Sequence, residues 1–305
     1  MPAPEPGAVG ERAGFRSGFV SIVGRPNVGK STLLNALLNR KVAITSAKPQ
    51  TTRNAIRGVL TGVDWQMVFI DTPGLHKPTT ALGERLNDVV RRTLREVDAV
   101  VFMVDALQEV GSGDHFVAQE ILSLGTAAIC AVNKMDAARN AQLVPQLAAV
   151  EQLGAWREII PISAKEGRNV DEMRDLLVSL LPAGPQYYPG DVFTDQSREF
   201  LVAEIIREKA LELTRQEVPH SIAVKVEEIV DRDDRVTEIH AIVYVERASQ
   251  KGIVIGRGGA MLKEVGTRAR RELEWILGTK IYLRLQVKVA KDWQRDPGTL
   301  SRLGY

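Results

Sequence analysis

Gly24-Arg25-Pro26-Asn27-Val28-Gly29-Lys30-Ser31, with Thr32 behind it, restricts this chain more than any other stretch. The apolar run Phe19-Val20-Ser21-Ile22-Val23 before it has the length of a buried strand. The leucines at 33, 34, 37 and 38 after it are spaced for a helix. Strand, glycine-framed loop and helix in that order make the G-x-x-x-x-G-K-S phosphate loop. The glycines let the chain turn tightly enough to aim successive N–H groups at phosphate oxygens. The helix that follows adds about +0.5 charge at its first turn. Lys30 is expected to reach the β- and γ-phosphates, and the Ser31 hydroxyl to ligate Mg²⁺. The loop selects a nucleoside triphosphate without saying which.

Three later strings narrow the choice. The polar segment 41–55 holds Thr51 and Thr52, either of which could supply a second Mg²⁺ ligand while the γ-phosphate is present. Strands expected over 55–60 and 66–70 form a hairpin, and the second runs into Asp71-Thr72-Pro73-Gly74. Asp71 can hold the Mg²⁺ hydration shell, and the Gly74 N–H can approach the γ-phosphate. Lys30, Ser31, Thr51, Thr52, Asp71 and Gly74 are therefore the expected catalytic set. Strands over 99–104 and 127–132 follow, and the latter ends in Asn133-Lys134-Met135-Asp136. The Asp136 carboxylate can accept from the ring N1–H and the 2-amino group of guanine. Adenine offers neither donor and would leave a buried carboxylate unpaired. A last strand, 158–162, ends in Ser163-Ala164-Lys165, whose backbone can donate to guanine O6. Helices are expected over 80–96, 115–124, 141–153 and 170–181. The alternation implies an α/β domain with a mostly parallel sheet, helices on both faces, and a ligand at the strands' carboxyl ends.

The residue after Gly74 is Leu75, where Ras-like GTPases place a water-orienting glutamine. Leucine can neither donate nor accept, so slow intrinsic hydrolysis is expected, on the order of 10⁻⁴ to 10⁻² s⁻¹. Asn27 is the candidate for coordinating K⁺ in place of an arginine finger. His76 reads as a solvated loop residue.

The 305 residues suffice for about two domains, and the net charge of +2 leaves only a local patch to attract a polyanion. The single cysteine, Cys130, sits in an apolar run and fits a reducing compartment. No run reaches the ~18 apolar residues of a spanning helix, and the start lacks the pattern of a signal peptide. The expected layout is a disordered tail at 1–16, the nucleotide domain at 17–182, a Pro/Gly-rich linker at 183–196, a second domain at 197–295 and a C-terminal tail at 296–305.

In the second domain the pattern reads helix (198–215), two alternating strands (221–230 and 238–245), a short helix, a glycine loop, a basic helix (261–277) and a strand (281–289). Gly256-Arg257-Gly258-Gly259 has the G-x-x-G form with which KH domains clamp about four nucleotides. Residues 191–246 carry 7 Lys/Arg against 14 Asp/Glu, whereas residues 247–305 carry 13 against 5. The basic half brackets the loop, as a polyanion footprint would. Arg247, Lys251, Gly256, Arg257, Gly258, Gly259 and Lys263 are the expected RNA contacts, with Ile253 and Ile255 as an apolar floor.

These motifs, together with Gln50-Thr51-Thr52-Arg53 and the pairing of a G domain with a C-terminal KH domain, resemble the Era family of bacterial ribosome-assembly GTPases. The resemblance spans about residues 17–295. It implies a P-loop NTPase G domain followed by an α+β KH domain of type II. It also implies a monomeric GTP/GDP switch that binds the 3′ end of 16S rRNA and assists small-subunit assembly. The implied location is the cytoplasm, with peripheral contact to the membrane. Asn54 stands where the family often has histidine. A GTPase whose second domain meets a protein or anionic membrane is the competing reading, and a phosphate-loop kinase of small molecules a third; Asn133 and Asp136 count against the kinase.

Overall fold

The computed structural model describes residues 14–45, 56–71, 81–214, 221–233 and 235–303. Thr51, Thr52, Asn54, Thr72, Pro73, Gly74, Leu75 and His76 lie outside the described residues. The chain divides into two compact units, one built on a six-stranded sheet and running to Asp195, the other holding the residues from Gln196 on.

In the first unit the strands are β1 (Arg16–Gly24), β2 (Ile56–Thr61), β3 (Trp65–Asp71), β4 (Ala99–Asp105), β5 (Ala127–Asn133) and β6 (Glu158–Ile162). The helices are α1 (Lys30–Leu38), α2 (Ala81–Leu94), α3 (Ser112–Leu122), α4 (Asn140–Glu151) and α5 (Val170–Leu180). Sheet order is β2-β3-β1-β4-β5-β6. Only β2 is antiparallel, paired with β3 as the expected hairpin. All of β4 is buried, which explains its unbroken apolar sequence. Phe102 stacks on Trp156 with centroids 5.1 Å apart, and Cys130 is buried in the same core. The parallel register sets Gly24 beside Met103, and Asp105 beside Asn133, which in turn lies beside Ile162. The motif residues thus gather along one edge of the sheet.

Three boundaries differ from the sequence expectation, two of them in this unit. The tail expected at 1–16 gives way to structure before its end: Phe15 is buried and β1 begins at Arg16. The Arg16 guanidinium donates to the carbonyls of Ser179 and Leu181, satisfying acceptors that the end of α5 leaves open. Residues 183–195 are not a free linker. Val59 donates to the Phe193 carbonyl and Thr194 to that of Arg57, so the segment covers the outer edge of β2. The buried Gln66 amide fixes the same segment by accepting from the Tyr187 and Tyr188 N–H groups.

The second unit runs α6 (Arg198–Leu213), β7 (Ala223–Asp233), β8 (Val236–Val245), α7 (Ala248–Ile255), α8 (Ala260–Leu277), β9 (Lys280–Val289) and α9 (Pro297–Arg302). Its sheet order is β7-β8-β9, with β8 antiparallel to β7 and parallel to β9. Val202, Ile205 and Ile206 of α6 and Val265, Ala269 and Leu273 of α8 cover one sheet face. Charges on α6 are buried only in pairs: Arg207 donates to Glu204 at 2.7 and 2.6 Å, and Lys209 meets Glu208, Glu212 and Glu272. The segment expected as a C-terminal tail folds as α9, capped by Asp296 and seated on buried Leu300.

Candidate nucleotide site and nucleic-acid groove

The loop from Gly24 to Gly29 joins β1 to α1 and is shaped by close approaches. A Cβ on Gly24 would lie 2.5 Å from the Met103 carbonyl oxygen, and one on Gly29 2.2 Å from Asn133 Nδ2. Gly29 has φ 106 and Asn27 φ 66, so the loop turns through left-handed backbone twice. Lys30 is buried, and its ammonium donates to the carbonyls of Gly24 (3.1 Å) and Arg25 (2.9 Å). Burial pushes Lys30 down to about 8, while the Asp71 carboxylate pulls the other way. Ser31 Oγ donates to Asp71 Oδ2 at 2.7 Å, bringing together the two hard-oxygen groups expected at the metal.

Asn133 ties the phosphate loop to the Ser163-Ala164-Lys165 segment. Its Nδ2 donates to the Val28 carbonyl at 2.8 Å, and its Oδ1 accepts from the Ala164 N–H at 2.9 Å. Ser163 Oγ donates to Asp136 Oδ1 at 2.6 Å, which orients that carboxylate. Met135 N–H donates to the Ile162 carbonyl, and Lys165 stands exposed beyond. Lys134, at φ 71, forms a 2.6 Å ion pair with Asp105.

Three residues of this site escaped sequence reasoning. Asp105 ends β4 on the same sheet edge as Asp71 and Asn133, and that position was its available signal. Asp114 is fully buried and accepts from Arg25 Nε at 2.9 Å and from the Gly111 N–H at 3.0 Å. Gln108 donates to Asp105 and accepts from Arg25. Together they brace Arg25 of the phosphate loop and Lys134 of the base loop from the β4–α3 connection. No motif marks Asp114 or Gln108.

In the second unit the glycine loop lies between α7 and α8. Gly256, Gly258 and Gly259 all have positive φ, of 74°, 59° and 82°. A Cβ on Gly256 would strike Met261, whereas Gly258 and Gly259 face open space. Beside the loop is a groove of about 460 Å³ lined by Gly259, Lys263, Thr267 and Arg270 on one side and by Ile281, Tyr282, Leu283 and Leu285 on the other. β9 supplies apolar lining to this groove, while Ile253 and Ile255 sit on α7, outside that lining, with Ile253 45% exposed. Of the nine expected RNA residues, Gly259 and Lys263 line the groove. Arg247, Lys251, Gly256, Arg257 and Gly258 belong to α7 and its flanks. The difference arises because β9 returns parallel to β8, a pairing no local pattern reveals.

Residues 19–134 match the family described as 50S ribosome-binding GTPase, and residues 217–294 match the KH domain family. GTPase Era of Mycolicibacterium smegmatis is 53% identical over 296 residues, 95% of this chain and 99% of the relative. The chain belongs to the Era family of GTPases. GTPase Era of Heliobacterium modesticaldum is 50% identical over 95% of this chain and 97% of its own. Among solved structures, a variant of Aquifex aeolicus Era bound to GDP·AlF4⁻ superposes with TM-score 0.91 at 41% identity, covering 95% of this chain and 99% of that one. Era in complex with MgGDPNP and nucleotides 1506–1542 of 16S ribosomal RNA gives TM-score 0.92 with the same identity and coverage. As an Era-family member the chain is a nucleotide-binding GTPase, with the G-plus-KH architecture that its motifs imply.

Proposed function

We propose that this GTPase is a switch that grips the 3′ end of 16S rRNA and assists assembly of the small ribosomal subunit. The observation that carries the reading is the G-x-x-G loop opening onto a groove with a basic rim and an apolar floor. The Era complex with nucleotides 1506–1542 supports it, at 41% identity over 95% of this chain. Single-stranded bases pack on such a floor while loop N–H groups and lysines take the phosphates.

In the G unit, backbone N–H groups of 24–32 cradle the phosphates and Lys30 exchanges its carbonyl partners for phosphate oxygens. The hydroxyl–carboxylate pair Ser31–Asp71 fits Mg²⁺, with Thr51 or Thr52 adding a ligand; the ion neutralises charge on the β- and γ-phosphates. Asp136, Lys134 and the backbone of 163–165 select guanine. Asn27 is the K⁺ candidate, and its test is equal or unequal hydrolysis in K⁺ and Na⁺. The γ-phosphate acts by ordering residues 45–55 and 73–80, which changes the KH unit's hold on RNA. This activity belongs in the cytoplasm, performed by a monomer. Among the described residues no helix is long and apolar enough to cross a membrane. Peripheral contact with the membrane is tested by vesicle flotation.

The deciding experiment is binding of labelled RNA 1506–1542 with GDP or a GTP analogue bound. Gly258→Asp adds a like charge where a Cβ meets nothing and where aspartate tolerates the φ of 59°. It should weaken RNA binding at least tenfold, about 1.4 kcal/mol, and leave GTP hydrolysis without RNA unchanged. RNA affinity indifferent to both the substitution and the nucleotide would defeat the proposal.

A further inference from the structure

β9 is an edge strand, and its alternation gives its two faces different chemistry. Ile281 and Val287 face the core, and Ile281, Leu283 and Leu285 wall the groove. The opposite set, Lys280, Tyr282, Arg284, Gln286 and Lys288, is exposed throughout and contains no carboxylate. The cations recur every fourth residue, about 13 Å apart at ~3.3 Å per residue. Arg284 lies over the Tyr282 ring, 5.9 Å from its centroid, and that ring is 54% exposed.

Several charges on the rest of this sheet are already paired, with exposed Glu228, in register with His240, outside those pairs. Glu238, in register with Tyr282, is held by Arg232 (2.6 Å) and His240 (2.8 Å). Asp231 is paired with Arg198 at 2.7 Å, and Glu227 with Lys225 at 3.4 Å. Among the described residues, by contrast, Lys280, Arg284 and Lys288 have no ion-pair partner. Spare positive charge on this face is therefore concentrated on its β9 edge. Tyr282 belongs both to that edge and to the lining of the groove, so the two surfaces are continuous.

We propose that the outer face of β9 is a second RNA contact, a cationic rail that carries the phosphates of the strand as it leaves the KH groove. Lys280, Arg284 and Lys288 neutralise phosphates spaced along the strand rather than adjacent ones, and Tyr282 offers its ring to a base at the crossing point. This rests on the reading that the groove holds single-stranded RNA. It assigns to β9 a function beyond forming the groove wall.

The test compares two probes on the full chain: a strand of roughly four nucleotides, the footprint of a KH loop, and RNA 1506–1542. Lys280→Gln, Arg284→Gln and Lys288→Gln are combined, with thermal melts to confirm folding. Each lost single-strand phosphate contact lowers the slope of log K against log salt by ~0.7, so the triple variant should be shallower by about 2 on the long RNA. Over a fourfold rise in salt, wild type should lose about 20-fold more affinity than the variant. Binding of the short strand should stay unchanged, and Arg284→Lys should retain the wild-type slope. An unaltered slope on the long RNA overturns the rail, as does an equal loss on the short strand. Gly258→Asp reports separately on the groove, because it should weaken both probes. Wild-type protein that binds neither RNA removes the groove reading and the rail together.

Discussion

Gly29→Ala puts the nucleotide site under a strain whose size follows from two features. At φ 106 an L side chain costs about 1.5 kcal/mol in backbone energy alone. The new Cβ would also sit 2.2 Å from Asn133 Nδ2, so the amide must rotate away. Rotation gives up its bonds to the Val28 carbonyl and the Ala164 N–H, at about 1 kcal/mol each. The total is about 3.5 kcal/mol of folding stability. Asn133→Ala alone should cost about 2 kcal/mol. In that background the methyl group meets no amide, so Gly29→Ala should add only its backbone term, about 1.5 kcal/mol. Urea unfolding of the four proteins of this cycle measures the coupling. Additive effects, or a Gly29→Ala stability within about 0.5 kcal/mol of wild type, would refute the argument.

Other tests follow from the same geometry. Between pH 8, where burial has placed Lys30, and its ordinary 10.5, the unfolded chain binds this proton more tightly than the folded one, so stability gains from Lys30 as pH rises through that window. A polyphosphate restores the cation. GDP binding just above pH 8 should therefore take up a proton, read as buffer-dependent heat by titration calorimetry; Lys30→Met or a pH well below 8 should abolish it. Asp136→Asn should weaken GTP by one to two orders of magnitude, about 1.5–3 kcal/mol for lost bonds to a charged acceptor, and admit xanthosine triphosphate; unchanged base preference in competition assays would remove Asp136 from that role. Burial raises the Cys130 thiol far above its ordinary pKa, so native protein should resist iodoacetamide and react only on unfolding, followed by mass spectrometry.

Much of the G unit could be read in the chain because its signals are local. A phosphate loop, a strand-terminal aspartate and the Asn133–Asp136 string each reside in a few consecutive residues, and alternating strands and helices restrict how they can be arranged. What was missed depends on long-range contact. Asp114 reaches Arg25 across 89 positions, and nothing near Asp114 announces it. Phe15 and Arg16 read as tail because their partners, the Gly184 N–H and the carbonyls at the end of α5, lie more than 160 residues away. The KH groove shows the same limit: its loop was legible, but its floor required knowing that β9 pairs with β8. Ile253 and Ile255 are near the loop in sequence, whereas Leu283 and Leu285 reach the groove only through the fold.

The Asn133 amide joins the end of β5 to the phosphate loop across 105 positions, so on the proposed reading the part of the pocket that tests the purine and the part that holds the tail are one mechanical piece. A wrong base that disturbs the first loosens the second. On that reading errors of recognition at the two ends should compound, so that discrimination against foreign nucleotides would exceed what either end achieves separately.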